Sequence, residues 1–370
     1  MDKWISEMAP NLEGSFYEKE AIRYIEKASV LGTEPVHDLL RIISSFNVYY
    51  GKEAIEKSNA DPVPLIIKLL DENTEFLQIA SQNFNDLNLS HPRDEFDTVE
   101  HATGEHYGEL FSEFDEYHYF EEPYELLLRR FERNNVPVSD FKGKKALDAG
   151  CGGGRYTIAL KKLGFAEVVG VDISEVGLET CRKRLVEKGI GGVLYKEGNV
   201  LELPFGDATF DFVFSNGVLH HTKDMVKGIH ELLRVLKPMG QGFLYLIETP
   251  GGLYWDVIEI LRCVLRKVDF SYARTVFNLL GVPGNRRFFI LDHIMAPINI
   301  RSTSEQIEGI LKDAGSKNIR RLTRGTDFDR IEKIYNKVPY SDIKYGVGEN
   351  RYFFDKSYTN IVFLKCFEGN

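Results

Sequence analysis

The sequence predicts an α/β protein: a doubly wound, mostly parallel sheet with an N-terminal helical region and a helical insertion after the fifth strand. Three observations predict it. From Lys144 onward, short apolar runs such as KKALDAG, EVVGVDI and FDFVFSNGV alternate with amphipathic patterns such as RYTIALKKLG and DMVKGIHELLRVLKP. Strand and crossover helix alternate in this way when a parallel sheet is covered on both faces. Residues 1 to about 90 instead place apolar side chains at three- and four-residue intervals, as in AIRYIEKASVL and PLIIKLLDENTEFLQIA, the period of a helix. After Pro250-Gly251-Gly252 the alternation gives way to LYWDVIEILRCVLRKV, again helical in pattern.

Taken in order, residues 1–100 form the helical region, punctuated at Asp61-Pro62 and Pro64, with HPRDEFDT near His91 leading out of it. Residues 101–140 mix aromatics and carboxylates before an amphipathic segment from Pro123 to Arg133, suited to a lid and a lead-in helix. The α/β domain covers 141–370, with the insertion at about 251–302. A helix from Ser304 to Ala314, a strand around Asn318 to Leu322 and a final strand, TNIVFLKCF, return the chain to the sheet.

Composition excludes several classes. With 370 residues, 43% hydrophobic and 28% charged, the chain can bury a full core. Its first residues, MDKWISEMAP, lack the basic start and apolar run of a secretory signal, and no uncharged apolar run approaches the roughly 18 to 20 residues that span a bilayer. A cytosolic, non-membrane protein is expected. Cys151, Cys181, Cys263 and Cys366 form no C-x-x-C pair, so neither a zinc knuckle nor a disulfide framework is signalled. His101, His106 and His118 match no ligand spacing either, and no metal is expected. The formal net charge of −10 is unevenly spread, with 12 Lys/Arg against 29 Asp/Glu through Asp140 and 34 against 27 thereafter. A front segment this acidic opposes general nucleic-acid binding, which needs a concentrated basic surface.

The strongest chemical signal is ALDAGCGGGRY, an apolar strand running into Gly150, Gly152, Gly153 and Gly154 and directly into a helix. Glycine lets backbone approach a ligand closely, and the helix N-terminus aims amides at it. A dinucleotide fingerprint starting at Gly150 would need glycine where Arg155 stands, and the Gly-Lys-Ser/Thr of a phosphate loop is absent. Asp172 sits at the tip of the next strand, where a carboxylate can accept both hydroxyls of a ribose.

On these residues the chain resembles the class I S-adenosylmethionine (SAM)-dependent methyltransferases, particularly the small-molecule enzymes around the ubiquinone and menaquinone methyltransferases. EGNVLELPF, FDFVFSNGVLHH, ELLRVLKPMGQG and LYLIE match in order, so the resemblance covers about residues 140 to 250. It implies a seven-stranded, Rossmann-like sheet with SAM as cofactor and its demethylated form, S-adenosylhomocysteine, as product. It also implies a cofactor site of Asp148, Gly150, Cys151, Gly152 and Gly154, with Asp172, Ile173, Asn199, Val200 and Asn216. Gly198-Asn199 departs from the family's usual Gly-Asp, which removes charge assistance from adenine recognition.

For catalysis the sulfonium methyl is already activated, so in-line placement of the nucleophile is the main requirement. A hydroxyl acceptor also needs a base, and His220 and His221, just beyond the fourth strand, titrate in the useful range. A structural role for the pair is the alternative. Among Tyr107, Tyr117, Tyr119 and Tyr124, which precede the first strand, Tyr119 is a candidate for touching the sulfonium and Tyr107 and Tyr117 for the acceptor. Arg321 and Arg324, in RRLTRGTDFDR, suit an anionic small-molecule acceptor. An RNA or protein methyltransferase is a second reading, opposed by FSNGVLHH in place of an Asn/Asp-Pro-Pro-Tyr/Phe sequence; a non-catalytic SAM-binding scaffold is a third, opposed by the intact glycine and acidic positions. The front helices suit homodimer formation, capping of the pocket or docking of a partner, and amphipathicity does not choose among these.

Overall fold

A computed structural model describes residues 2–83, 114–249, 251–322, 338–346 and 350–358. In chain order, α1 (Lys3–Met8), α2 (Glu18–Ser29), α3 (Pro35–Lys57) and α4 (Pro62–Asn83) come first, and α5 (Glu122–Arg133) leads into β1 (Lys145–Ala149). Then follow α6 (Arg155–Lys162), β2 (Glu167–Asp172), α7 (Glu175–Lys188), β3 (Val193–Glu197), β4 (Phe210–Asn216), α8 (Met225–Val235) and β5 (Leu236–Leu246). Three helices come next: α9 (Gly252–Leu265), α10 (Phe270–Leu279) and α11 (Gly284–Met295). Last among the described residues come α12 (Ser304–Asp313), β6 (Ser316–Arg321), α13 (Ser341–Tyr345) and β7 (Asn350–Lys356).

These elements divide into two compact units. One takes residues 107–248, 298–329 and 349–370; the other takes 1–106, 249–297 and 330–348.

The first unit is an α/β fold with a seven-stranded sheet in the order β3-β2-β1-β4-β5-β7-β6. β1 to β5 run parallel, and β7 is antiparallel to both β5 and β6. Successive side chains on a strand point to opposite faces, and both faces here are apolar. Leu147, Val169, Val213 and Leu244 meet Ile229, Leu232 and Leu233 of α8 on one side. Ala146, Val168, Phe212 and Phe243 meet Phe131 of α5 and Leu160 of α6 on the other. Each such Val, Leu, Ile or Phe side chain contributes about 1.5–3 kcal/mol on burial, which is why the strands read as nearly continuous apolar runs. One further strand completes the sheet. It is formed by 350–356, where Tyr352, Phe353 and Phe354 are all buried, whereas TNIVFLKCF lies outside the described residues.

The second unit is helical. It brings α1 to α4 together with α9 to α11 and α13, so the insertion and the front helices share one interior. That interior holds charge. Lys52 of α3 is fully buried, with its ammonium 3.8 Å from the Tyr254 ring centroid, 4.4 Å from that of Tyr49 and 3.5 Å from Glu56 Oε2. Tyr17 donates to Asp256 at 2.6 Å, Asn11 to Glu259 at 3.2 Å, and the buried Lys344 to the Ser58 carbonyl. Arg286 pairs with Glu53, an acidic residue of the front segment. Among the described residues no helix is long and apolar enough to cross a membrane.

Candidate active site

Strand order reverses beside β1, and ligands of open α/β sheets bind where that happens, at the carboxyl ends of the strands. The candidate residues gather there, within the α/β unit. Gly150, Gly152 and Gly154 all have left-handed backbone, with φ of +77°, +49° and +76°, a region that penalises any side chain. At Gly150 a Cβ would also lie 2.3 Å from Val218 Cγ1, and at Gly154 2.3 Å from the Tyr195 hydroxyl. The loop is therefore held to glycine by conformation and by crowding at once.

Hydrogen bonds fix it further. The amides of Gly150 and Cys151 both donate to the Val171 carbonyl of β2, at 2.8 and 2.9 Å. The Gly152 amide donates to Asp172 Oδ2 at 2.7 Å, and the other carboxylate oxygen accepts from Ser174 N at 3.0 Å. Ser174 in turn caps α7 through the Gly177 amide. The loop and the acidic tip are thus one hydrogen bond apart.

Burial sets the charge states here. It raises the Asp172 carboxyl above the usual range, against the amides of Ser174 and Gly152 that favour the anion. Asp148, one strand over and itself buried where Asp172 is only partly so, is pushed up to about 7 by desolvation; the Thr157 hydroxyl, 2.7 Å away, opposes this, and the nearby Asp172 charge adds to it. Asn199 spends part of its side-chain oxygen on the Leu201 amide at 2.8 Å, a turn that fixes its direction. Val200 is buried, Ile173 is exposed, and Asn216 ends β4 in register with Tyr245.

The remaining candidates separate. Tyr119, buried, donates its hydroxyl to the Gly153 carbonyl at 2.5 Å and stacks under Arg184 at 3.8 Å. Burial keeps it a neutral phenol, so it braces the loop from the side of α5. Tyr117 is half exposed and donates to Glu125 at 3.1 Å. The Arg321 guanidinium is committed to both carboxylate oxygens of Glu248, at 2.5 and 2.7 Å, and Glu248 is fully buried. This changes the expectation of an anion clamp: a buried carboxylate needs its partner more than a ligand does. Tyr107 and Arg324 lie outside the described residues.

His220 and His221 form a short turn beyond β4, with their rings 4.2 Å apart. His220 is buried; its Nδ1 accepts from the Ile247 amide at 3.3 Å and its carbonyl accepts from Ile300 N at 2.8 Å. His221 is partly exposed, and its Nδ1 lies 2.6 Å from the Ile298 carbonyl.

Sequence reasoning missed Arg155 as a brace. Its buried guanidinium donates to the His118 carbonyl at 2.7 Å and to Glu122 at 2.6 Å, and lies over the Phe114 ring, tying the lead-in segment to the glycine loop. No local pattern announces it. Among the described residues, no three His, Cys, Asp or Glu side chains are grouped to hold a metal.

The set fits an adenosyl amino acid. A carboxylate offers about four lone-pair sites, more than the backbone amides occupy at Asp172, and a loop without side chains adjoins it. Comparison with known proteins points the same way. Residues 147–244 match the family described as Methyltransferase domain. The demethylmenaquinone methyltransferase of Bacillus cytotoxicus is 35% identical over 195 residues, covering 52% of this chain and 78% of that one. That of Bacillus subtilis is 28% identical over 181 residues, 48% and 73% of the two chains. The 27-O-demethylrifamycin SV methyltransferase of Amycolatopsis mediterranei is 34% identical over 122 residues, but these span only 32% of this chain and 45% of that relative. With its sheet order, glycine loop and strand-tip carboxylate, the chain belongs to the class I SAM-dependent methyltransferases of the ubiquinone and menaquinone type, a family of enzymes.

Proposed function

We propose that this enzyme transfers a methyl group from SAM to a small aromatic acceptor bearing a weakly acidic hydroxyl, of the quinol class. The observation that carries the reading is the Gly152–Asp172 hydrogen bond, which joins the loop of β1 to the tip of β2 as two ends of one ligand site. In this reading Gly150, Cys151, Gly152 and Gly154, backed by Asp148, hold the amino-acid end, while Asp172, Ile173, Asn199 and Val200 hold the adenosine and Asn216 faces the transfer site. When bound, SAM supplies an activated methyl group. The chain's residues supply position and dryness, and orientation alone can be worth about 7–11 kcal/mol.

The quinol class is supported by the names of the Bacillus relatives. An anionic acceptor loses its chief support in the pairing of Arg321 with Glu248, and a neutral quinol needs no arginine clamp. Cytosolic placement is supported by the free thiols of Cys151, Cys181 and Cys263.

Calorimetry with SAM and S-adenosylhomocysteine tests the site, and tritium transfer from labelled SAM into a panel of hydroquinones and a size-fractionated extract tests the acceptor. Binding that weakens at least tenfold in Asp172→Ala, as expected on losing charge-assisted hydrogen bonds, with label in small aromatic products, is the expected result. No affinity for SAM, or an unchanged Kd in that variant, sinks the cofactor assignment; label confined to macromolecules sinks the acceptor class.

A further inference from the structure

We propose that Tyr119 is a positioning residue for the amino-acid end of the cofactor: its hydroxyl sets the peptide plane after Gly153, and with it the grip of the glycine loop on that end alone. The inference rests on the methyltransferase reading above and adds which part of the ligand depends on a side chain outside the loop.

Three successive carbonyls of the loop are each held by a side chain. The Gly152 carbonyl accepts from the Cys181 thiol of α7 at 3.5 Å, that of Gly153 from Tyr119 at 2.5 Å, and that of Gly154 from the Tyr195 hydroxyl at 3.3 Å. These side chains adjoin one another. A Cβ at Gly154 would meet both the Tyr195 hydroxyl and Cys181 Sγ, and Cys181 shares a hydrogen bond with Tyr119.

In a trans peptide the C=O and the following N–H point in opposite directions. Turning the Gly153 carbonyl to Tyr119 therefore turns the Gly154 N–H inward, where it closes the loop on the Cys151 carbonyl at 2.9 Å. Turning the Gly152 carbonyl to Cys181 sends the Gly153 N–H away from α7. Glycine has the widest choice of backbone conformation of any residue, so three in a row cannot hold these directions unaided. Tyr119 makes the shortest of the three contacts, and the Gly154 carbonyl has a second donor in Ile158 N at 3.1 Å.

Tyr119 is itself well held. Burial raises its pKa, so the phenol keeps its proton and donates. Arg155, the residue that follows the loop, donates to the His118 carbonyl and to Glu122 on either side of it. Loop, tyrosine, lead-in segment and arginine thus form a closed circuit. Asp172, which the adenosine end would meet, is held by Ser174 N and by Gly152 N, one peptide earlier than the plane that Tyr119 sets. The two ends of the ligand site are supported separately.

Calorimetry with two probes tests this: S-adenosylhomocysteine, and 5′-methylthioadenosine, which keeps the adenosine and sulfur but lacks the amino-acid end. Tyr119→Phe removes only the hydroxyl. It is expected to raise the Kd for S-adenosylhomocysteine about tenfold, the scale of one hydrogen bond, and to leave that for methylthioadenosine unchanged. Tyr195→Phe, which leaves the Gly154 carbonyl its helix bond, is expected to change neither. Binding couplings are reciprocal, so S-adenosylhomocysteine should slow hydrogen exchange across residues 118–122 of the intact wild type, and methylthioadenosine should not. An unchanged Kd for S-adenosylhomocysteine in Tyr119→Phe, equal losses for the two probes, an equal loss in Tyr195→Phe, or equal protection by both probes overturns the proposal alone. Wild-type protein without affinity for S-adenosylhomocysteine overturns the methyltransferase reading, and this proposal with it.

Discussion

The two units solve the problem of buried polarity in opposite ways. In the α/β unit the interior of the sheet is apolar on both faces, and polar groups collect at the strand tips, where Asp172, Asn199 and the double histidine are held largely by backbone amides and carbonyls. The helical unit instead draws charge into its middle: Lys52 lies between tyrosine rings, Glu259 takes a hydrogen bond from Asn11, and Asp256 takes one from Tyr17. Where backbone makes the contacts, side chains keep chemical capacity for a ligand; where side chains pair with one another, that capacity goes into holding the fold.

Arg321 tests this division most severely, because it belongs to the α/β unit yet behaves like the charges of the helical one. Arg321→Ala removes the guanidinium paired with the fully buried Glu248 and is expected to cost about 3 kcal/mol in chemical denaturation, with little change in the Kd for SAM. Intact stability combined with a raised acceptor KM would return this arginine to the site. Lys52→Met, in the helical unit, leaves Glu56 without its nearby ammonium and is expected to cost about 3 kcal/mol. A loss of SAM affinity at undiminished stability would erase the contrast between the units.

Gly150→Ala probes the opposite case. The left-handed backbone alone costs about 1–2 kcal/mol, and the contact with Val218 adds to it. We expect SAM affinity to fall, and pairing it with Val218→Ala in a double-mutant cycle should recover only part of the crowding, because the Val218 Cβ itself would lie 2.9 Å away, and none of the backbone part. The least direct effect concerns Asp148. Its carboxyl rises in the fold from 3.8 to about 7, so the protonated form is the favoured one, and the stability it contributes is full below pH 3.8 and is lost as pH rises through about 7. Thermal melts between pH 5 and 8 should therefore show the wild type losing more stability with rising pH than Asp148→Asn, which keeps an oxygen for Thr157. Parallel pH profiles would mean that Asp148 is already ionised at pH 5.

What the sequence disclosed follows from range. The strands β1, β2, β4 and β5, the glycine loop and Asp172 are legible because each is written in a stretch of ten or so residues, where apolar runs, glycines and a strand-tip carboxylate fall side by side. The rest depends on partners far along the chain. Nothing near Arg321 announces Glu248, 73 positions earlier, and nothing near His221 announces Ile298, 77 positions later. The insertion reads correctly as helical, but the interior it shares with α2 and α3 has no local signature. For β7 a signal existed: the YFF of RYFFDK is an apolar core between charged ends, yet three consecutive buried aromatics fit neither strict alternation nor a long apolar run.

The place of β7 in the sheet has a consequence for how the protein is made. Because it lies between β5 and β6 and pairs with both, β6 has no strand to join until residues 350–356 leave the ribosome. Until then β5 offers an unpaired margin of N–H and C=O groups, a template for adhesion between nascent chains. Translation that stops short of Asn350 should yield a polypeptide with intact cofactor residues and two open sheet margins, a product that a chaperone would have to shield.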